Sequence, residues 1–296
     1  MDLGSPAGWT SGATVPVNPS AAIRGATWAL DRYAQLGVKL PPGNRLQRAR
    51  DFLEEVNAPG ELPASPSERF LRRIVDSTHT CFEHHLIARA LASRPLDAQQ
   101  VRLIQQSLSG SDLADDDTNS LPRDTQFELF AAAFLTMGDV PVRYQEPPDL
   151  VFLYNQREVG LAVKRVKSLS QLPRRFKKGI EQLDRSGLNG FVAVNADVLI
   201  RDIGLDGTAE ELGKRFSARL NALAAIDARF ASDPRALGRF TFGTDAVWDL
   251  SGARPELKFG FFRQVVFYNK NQEDKAVAER FYAAMDEKIE QRMTLL

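Results

Sequence analysis

Two apolar segments separated by a short polar turn constrain the fold of this chain more than any other feature. The first segment runs from Asp149 to Tyr154 (DLVFLY) and the second from Glu158 to Lys164 (EVGLAVK). Their length and apolar content predict two β-strands joined as a hairpin. Asp149 begins the first strand and Lys164 ends the second, and both are residue types that rarely suit a core. These two positions are therefore the first candidates for a functional site.

Helix and strand patterns alternate around this hairpin, which predicts an α/β fold. The predicted helices of this region cover residues 125–137, where Asp124 is a candidate cap, and residues 171–186, 207–230 and 272–292. The further predicted strands cover residues 190–196, 239–248 and 258–268. The N-terminal third differs, because its apolar residues recur at helical spacing throughout. Its predicted helices cover residues 21–40, 45–56, 65–91 and 97–108.

These patterns predict four parts along the chain. Residues 1–20 are rich in Gly, Pro, Ser and Thr and are interpreted as a flexible leader. A helical domain is predicted over residues 21–110, followed by an acidic linker at 111–122 that contains three consecutive aspartates. The α/β domain is predicted over residues 123–296. The boundary is placed in the acidic segment because the character of the sequence changes there.

Composition excludes some classes of protein. Lys and Arg total 38, as do Asp and Glu, so the net charge of zero argues against a wholly basic nucleic-acid coat, although a local basic patch is compatible with it. The single cysteine, Cys81, rules out an internal disulfide and fits a reducing compartment. No apolar run approaches the roughly 18 residues that a membrane span needs, and the N-terminus shows no signal pattern. We therefore expect a cytoplasmic protein without a membrane partner.

The hairpin carries a resemblance to a known family. Pro148-Asp149, a spacer of twelve residues and then Ala162-Val163-Lys164 resemble the motif of the PD-(D/E)xK nuclease superfamily, which includes restriction endonucleases and Holliday-junction resolvases. Glu128 on the preceding helix stands where many members carry a further metal-binding glutamate. Gln182 on the following helix stands where members often carry a polar site residue, and residues 190–195 resemble the core strand that follows.

The resemblance implies a restriction-endonuclease-like mixed β-sheet flanked by helices. It also implies a nuclease that uses Mg²⁺ or Mn²⁺ to cleave phosphodiester bonds in DNA, in a setting such as bacterial restriction or antiphage defence. Asp149 and Glu128 would hold the metal, Lys164 would polarise the attacking water or stabilise the charged phosphate, and Gln182 would complete the site. DNA is the implied partner, together with a homodimer or a complex with a helicase or another defence component, as in many such nucleases.

Ala162 departs from the family pattern, because this position normally carries an acid that binds the metal. Residues 162 and 164 point to the same face of a strand, roughly 6.6 Å apart, which is why the acid and the lysine share this spacing. Three interpretations stay open. The acid was deliberately replaced by alanine to make an inactive protein, or the acid has moved to Glu128 or Glu146, or the domain is a non-catalytic module that binds nucleic acid or protein. The resemblance therefore implies a nuclease that is inactive in this form because of Ala162.

Basic residues follow Lys164 closely and are predicted to contact nucleic-acid phosphates. They are Arg165, Lys167, Arg174, Arg175, Lys177 and Lys178. The alternative is an ordinary solvated helix face.

A second group of reactive residue types lies in the helical domain, where His79, Cys81, His84 and His85 fall within seven positions. Cys81 and His85 are four apart and share a helix face, so they could bind one zinc ion. A structural zinc site usually takes four ligands from two segments, and the chain has no second Cys/His pair. A helix that packs Cys81 into a core is the preferred interpretation.

Overall fold

The protein is described here from a computed structural model. The described residues are 7–16, 19–58, 67–92, 95–166, 168–195, 214, 223–249, 256–268, 283 and 287–288. The chain divides into a helical unit, Pro16–Phe134, and a sheet unit formed by Met1–Val15 together with Leu135–Leu295. None of the described helices combines the length and apolar character needed to cross a bilayer.

The described residues of the helical unit form five α-helices. They are α1 (Pro19–Gln35), α2 (Arg45–Asn57), α3 (Glu68–Leu91), α4 (Ala98–Ser107) and α5 (Leu121–Met137), of which α5 continues past the unit boundary. Side-chain caps explain several of the starting points, because Asn44, Ser67 and Asp97 each accept a hydrogen bond from the first turn of the helix that follows. Helix α5 begins three residues before the predicted cap Asp124, whose carboxylate instead accepts a hydrogen bond from Ser120.

The acidic segment belongs to this helical unit and does not mark the unit boundary. Asp112 lies 2.7 Å from Arg48 and 3.1 Å from Arg73, which join it to α2 and α3. Asp117 pairs with Arg123 at 2.5 Å, and both side chains are almost fully buried. The acidic residues therefore hold this segment against the helices by ion pairs. The sequence had been interpreted as a linker and did not predict these contacts.

The sheet unit contains a mixed seven-stranded sheet with the order β1-β7-β6-β5-β4-β3-β2. Its strands are β1 (Ala7–Pro16), β2 (Val142–Tyr144), β3 (Leu150–Tyr154), β4 (Arg157–Arg165), β5 (Gly190–Asn195), β6 (Ala236–Asp249) and β7 (Glu256–Phe267). Strands β2, β3 and β4 form an antiparallel meander, and β6 pairs with β7 in the same way. The centre is parallel, because β4, β5 and β6 all run in one direction.

Helix α6 (Leu172–Ser186) connects the parallel strands β4 and β5 and covers one face of the sheet. Its apolar side, which includes Phe176 and Ile180, packs with Val192 and Val194 of β5 in one buried cluster. On the opposite sheet face Phe191 lies with its ring centroid 6.1 Å from Phe152 and 5.0 Å from Phe240. The parallel centre is therefore apolar on both faces, as expected for strands buried on both sides.

The structure confirms the α/β class and most of the predicted elements. The hairpin, the strand at residues 190–195, both long C-terminal strands and helices α1 to α6 occur within a few residues of their predicted bounds. Two strands were not predicted. Residues 7–16 form β1 where the sequence was interpreted as a flexible leader, and β2 is only three residues long. The predicted helices at 207–230 and 272–292 lie largely outside the described residues, although residues 214, 223–230, 283 and 287–288 are helical.

Candidate active site

Asp149 and Lys164 form an ion pair at one end of the β3–β4 hairpin. Lys164 Nζ lies 2.9 Å from Asp149 Oδ2, and the two side chains are only 12% and 14% exposed. The strand register explains the contact. Because Leu150 pairs with Leu161, Asp149 comes beside Ala162, two positions before Lys164 on β4. The local fold therefore unites the two residues that the sequence singles out.

Three donors hold the Asp149 carboxylate in place. The Val163 backbone N–H donates to Oδ2 at 2.5 Å and Gln182 Nε2 donates to Oδ1 at 3.1 Å, in addition to the bond from Lys164. Gln182 reaches the carboxylate from α6, so three elements contribute to one site: β3, β4 and α6. Of the residues predicted for the site, the structure thus brings Asp149, Lys164 and Gln182 into direct contact.

Helix α6 can reach the site because a glycine lies at its closest approach to the sheet. A Cβ atom built on Gly179 would lie 2.8 Å from Val192 Cγ1 and 3.4 Å from Ala162 Cβ. The lack of a side chain at Gly179 thus allows the helix backbone to lie directly over β4. Gln182 follows one turn later on the same helix, which places its amide over Asp149.

Ala162 lies beneath this helix. Its side chain is 0% exposed and belongs to the apolar cluster that also contains Phe176 and Leu183. Ala162 and Lys164 share one side of β4, as the strand period predicts. Position 162 is nevertheless surrounded by apolar side chains, although the resemblance implies a polar metal site there.

The residues of this site carry hard oxygen atoms, the ligand type that Mg²⁺ prefers. They are the Asp149 carboxylate, the Val163 carbonyl, which accepts a hydrogen bond from Lys164 Nζ at 2.8 Å, and Gln182 Oε1. Within the described part of the chain Gln182 Oε1 is buried without a hydrogen-bond partner. One carboxylate, one carbonyl and one amide oxygen fit a magnesium ion that keeps several of its waters. Among the described residues, however, no group of three or more His, Cys, Asp or Glu could hold a metal.

The remaining predicted acids lie elsewhere along the chain. Glu128 is half-buried on α5, in the part of that helix that belongs to the helical unit, whereas Asp149 belongs to the sheet unit. Glu146 is exposed in the loop that precedes Asp149. The replacement of the missing acid by Glu128 or Glu146 stays a prediction.

The predicted phosphate-binding residues are concentrated on α6. Arg174, Lys177 and Lys178 are exposed and Arg175 is half-buried, while Arg165 is half-buried at the end of β4. Lys167 lies outside the described residues. Helix α6 has no acidic residue in its first turn and no side-chain hydrogen bond at its cap, Gln171. Cations near the N-terminus of a helix are repelled by the positive end of its dipole, so these residues do not stabilise α6. The same positive charge would attract an anionic partner.

The histidine and cysteine group is part of the core of the helical unit. Cys81 is fully buried, and this burial raises the pKa of its thiol. His85 Nδ1 contacts the carbonyl oxygen of Gly25 at 3.2 Å, and His84 Nδ1 lies 3.1 Å from the Tyr33 hydroxyl. Cys81 therefore packs inward, as the sequence analysis preferred.

Two buried polar networks escaped the sequence analysis. In the sheet unit the fully buried Arg239 donates to both oxygens of Asp227, at 2.9 and 2.7 Å, and Tyr268 donates to the same carboxylate at 2.7 Å. In the helical unit the buried Arg45 and Glu83 are joined through the side chain of Gln126. A single charged residue within an apolar segment is the sequence feature that could have indicated these networks. The sequence does not identify the partners, because they lie at least 12 residues away.

No family model, curated protein or solved structure matches this chain. The geometry of the site and the short motif are therefore the basis for a functional interpretation.

Proposed function

We propose that the sheet unit is a metal-dependent nuclease of the restriction-endonuclease-like type that cleaves phosphodiester bonds in DNA. The observation that carries the proposal is the convergence of Asp149, Lys164 and Gln182 from three elements onto one largely buried polar site. The order of helix, aspartate strand, lysine strand, helix and parallel strand is also the order on which the resemblance to the PD-(D/E)xK nucleases rests.

In this proposal each residue has a distinct role. Asp149, the Val163 carbonyl and Gln182 Oε1 would hold Mg²⁺ or Mn²⁺, which supplies a water of lowered pKa and neutralises charge on the phosphate. Lys164 would donate to the scissile phosphate or to the attacking water. The Val163 N–H and Gln182 Nε2 keep the Asp149 carboxylate oriented.

The exposed cations of α6 would contact the DNA backbone. Arg174, Lys177 and Lys178 lie on the helix that also carries Gln182, so DNA bound along α6 would lie near the site. A role in restriction or antiphage defence, a cytoplasmic location and a homodimeric or helicase-bound state belong to the same proposal and rest on family analogy.

Cleavage of plasmid and linear DNA tests the proposal. The full chain is incubated with Mg²⁺ or Mn²⁺ alongside Asp149→Asn and its matched control Asp184→Asn, an exposed aspartate of α6 that pairs only with Arg235 at the surface. We expect cleavage by the unsubstituted protein and the control, and a loss of at least about 100-fold in Asp149→Asn because this change removes the one carboxylate that the described residues bring to the site. Equal cleavage by all three proteins would refute the proposed role of Asp149.

The burial of Ala162 favours a second candidate, a non-catalytic DNA-binding module on the same fold. With alanine packed under α6, the site holds one carboxylate and the usual second acid is replaced by apolar packing. This candidate predicts salt-sensitive DNA binding without cleavage. Replacing Arg174 or Lys178 with Gln should then reduce the dependence of log affinity on log salt concentration by about one phosphate contact each.

A further inference from the structure

Lys164 occupies the position between the oxygen atoms that would bind a metal ion. Its ammonium group lies 2.9 Å from Asp149 Oδ2 and 2.8 Å from the Val163 carbonyl oxygen. We propose that Lys164 competes with the divalent cation for these two oxygens, so that metal and a DNA phosphate bind cooperatively and each binds weakly without the other. This inference rests on the proposed function and concerns the regulation of the same site.

The competition follows from charge and position. A cation that binds both oxygens has to lie within a few ångströms of the place that Lys164 Nζ now takes. Two like charges at that separation repel each other, and the repulsion is poorly screened where the side chains are mostly buried. The Asp149 carboxylate is also already neutralised by the ammonium, which lowers its attraction for a metal.

A phosphate group relieves this competition. The lysine side chain is a flexible stem with a rotating ammonium, so Lys164 Nζ can exchange Asp149 and the Val163 carbonyl for the oxygens of a nearby phosphate. The carboxylate stays in position when the lysine leaves, because the Val163 N–H and Gln182 Nε2 still hold it. Gln182 Oε1, which is buried and without a hydrogen-bond partner in the described structure, then supplies the third oxygen.

Thermodynamic linkage makes the effect reciprocal. If a phosphate that engages Lys164 tightens metal binding by some factor, the metal tightens phosphate binding by the same factor. The site would therefore assemble on DNA and would hold little metal in its absence. Such a device limits cleavage chemistry to the time when a phosphodiester is present.

Manganese binding to the full chain tests the inference independently of activity. Free Mn²⁺ is measured by electron paramagnetic resonance with and without a short DNA duplex, and the binding of Mn²⁺ to the duplex alone is subtracted. The variant is Lys164→Met, which keeps the apolar stem and removes the charge. Lys39→Met, at an exposed lysine of the helical unit, is the control.

Without DNA we expect Lys164→Met to bind Mn²⁺ about tenfold or more tightly than the unsubstituted chain and the control, within the usual range of coupling between sites. We expect the duplex to tighten Mn²⁺ binding by a similar factor in the unsubstituted chain and to change it little in Lys164→Met. The comparison with and without duplex needs no substitution, so it is informative even if the variant folds poorly.

Two results would overturn the inference, and they differ in what they say of the proposed function. If the unsubstituted chain binds Mn²⁺ equally well with and without duplex and still cleaves DNA, the cooperative binding is refuted and the nuclease proposal stands. If no variant binds Mn²⁺ even with duplex, and no DNA is cleaved, the metal-dependent function fails together with the inference.

Discussion

Replacing Ala162 with glutamate introduces the acid that the PD-(D/E)xK motif carries at this position, and the structure predicts that this change destabilises the sheet unit. The Ala162 side chain is 0% exposed and lies in the buried apolar cluster beneath α6, where a Cβ atom added to Gly179 would already be in van der Waals contact with it at 3.4 Å. Glutamate adds one methylene group and a carboxylate to this space. The added atoms have to displace α6 or turn towards Asp149, whose carboxylate carries the same charge.

The expected cost has two components. Inserting the extra atoms into a packed core costs about 1–3 kcal/mol. Burying a carboxylate costs several kcal/mol more, although attraction to Lys164 offsets part of it. We therefore expect a decrease of about 3–5 kcal/mol in the free energy of unfolding. Against the roughly 5–15 kcal/mol of a typical domain, that loss leaves the sheet unit marginally stable.

Urea denaturation measures this loss, combined with hydrogen exchange of peptides from β4 and α6, because a chain of two units need not unfold in one step. Ala162→Gln separates the volume of the side chain from its charge. Leu153→Glu, at a half-exposed position of β3, is the matched control for a strand glutamate and should change stability by less than about 0.5 kcal/mol. An Ala162→Glu protein as stable as the parent would refute the packing argument, and faster Mg²⁺-dependent cleavage than by the parent would indicate that an acid at position 162 contributes to the site.

Three further predictions concern the surroundings of the site and the helical unit. Asp227→Asn should lower the free energy of unfolding by about 3–5 kcal/mol in urea, because the charge of Arg239 stays buried with a weakened partner. Gly179→Ala should cost about 1–3 kcal/mol through its clash with Val192, and the double variant with Val192→Ala should lose less than the sum of the two single changes. Burial lowers the pKa of His84 to about 3, so the unfolded chain binds more protons as the pH falls below about 6.5. Stability should therefore fall by up to about 1.4 kcal/mol per pH unit below that value, and His84→Gln should show a shallower decrease in pH-dependent denaturation.

Local signals in the sequence predicted those elements whose boundaries are set by neighbouring residues. Helix α2 is an example, because it begins directly after Asn44, whose side chain accepts a hydrogen bond from the Gln47 N–H. Helix α1 ends earlier than predicted, at Gln35, where Gly37 with a φ of +81° turns the chain before Pro41-Pro42-Gly43 is reached. Strand β1 was missed because its Gly-, Ser- and Thr-rich sequence has no period that identifies a strand. It exists as the edge strand of the sheet beside β7, a partner about 240 positions away in sequence.

The candidate site also combines a contact that the sequence predicts with one that depends on the tertiary structure. The positions of Asp149 and Lys164 in adjacent strands follow from the short hairpin alone, since its register brings them together wherever the hairpin lies in the fold. Gln182 could be proposed only through the family resemblance. Its contact with Asp149 depends on the close approach of α6, which Gly179 allows.

The sequence by itself determined helices α1 to α6 and most of the strands, the hairpin and the charged pair, because these depend on residues that are near neighbours along the chain. Only the tertiary structure decided that Ala162 lies in apolar packing, that Lys164 lies between the Asp149 carboxylate and the Val163 carbonyl oxygen, and that the acidic segment joins the helical unit. The physical reason is that the burial and the pairing of a side chain depend on the element that packs against it. At the candidate site that element is helix α6, which connects the parallel strands β4 and β5.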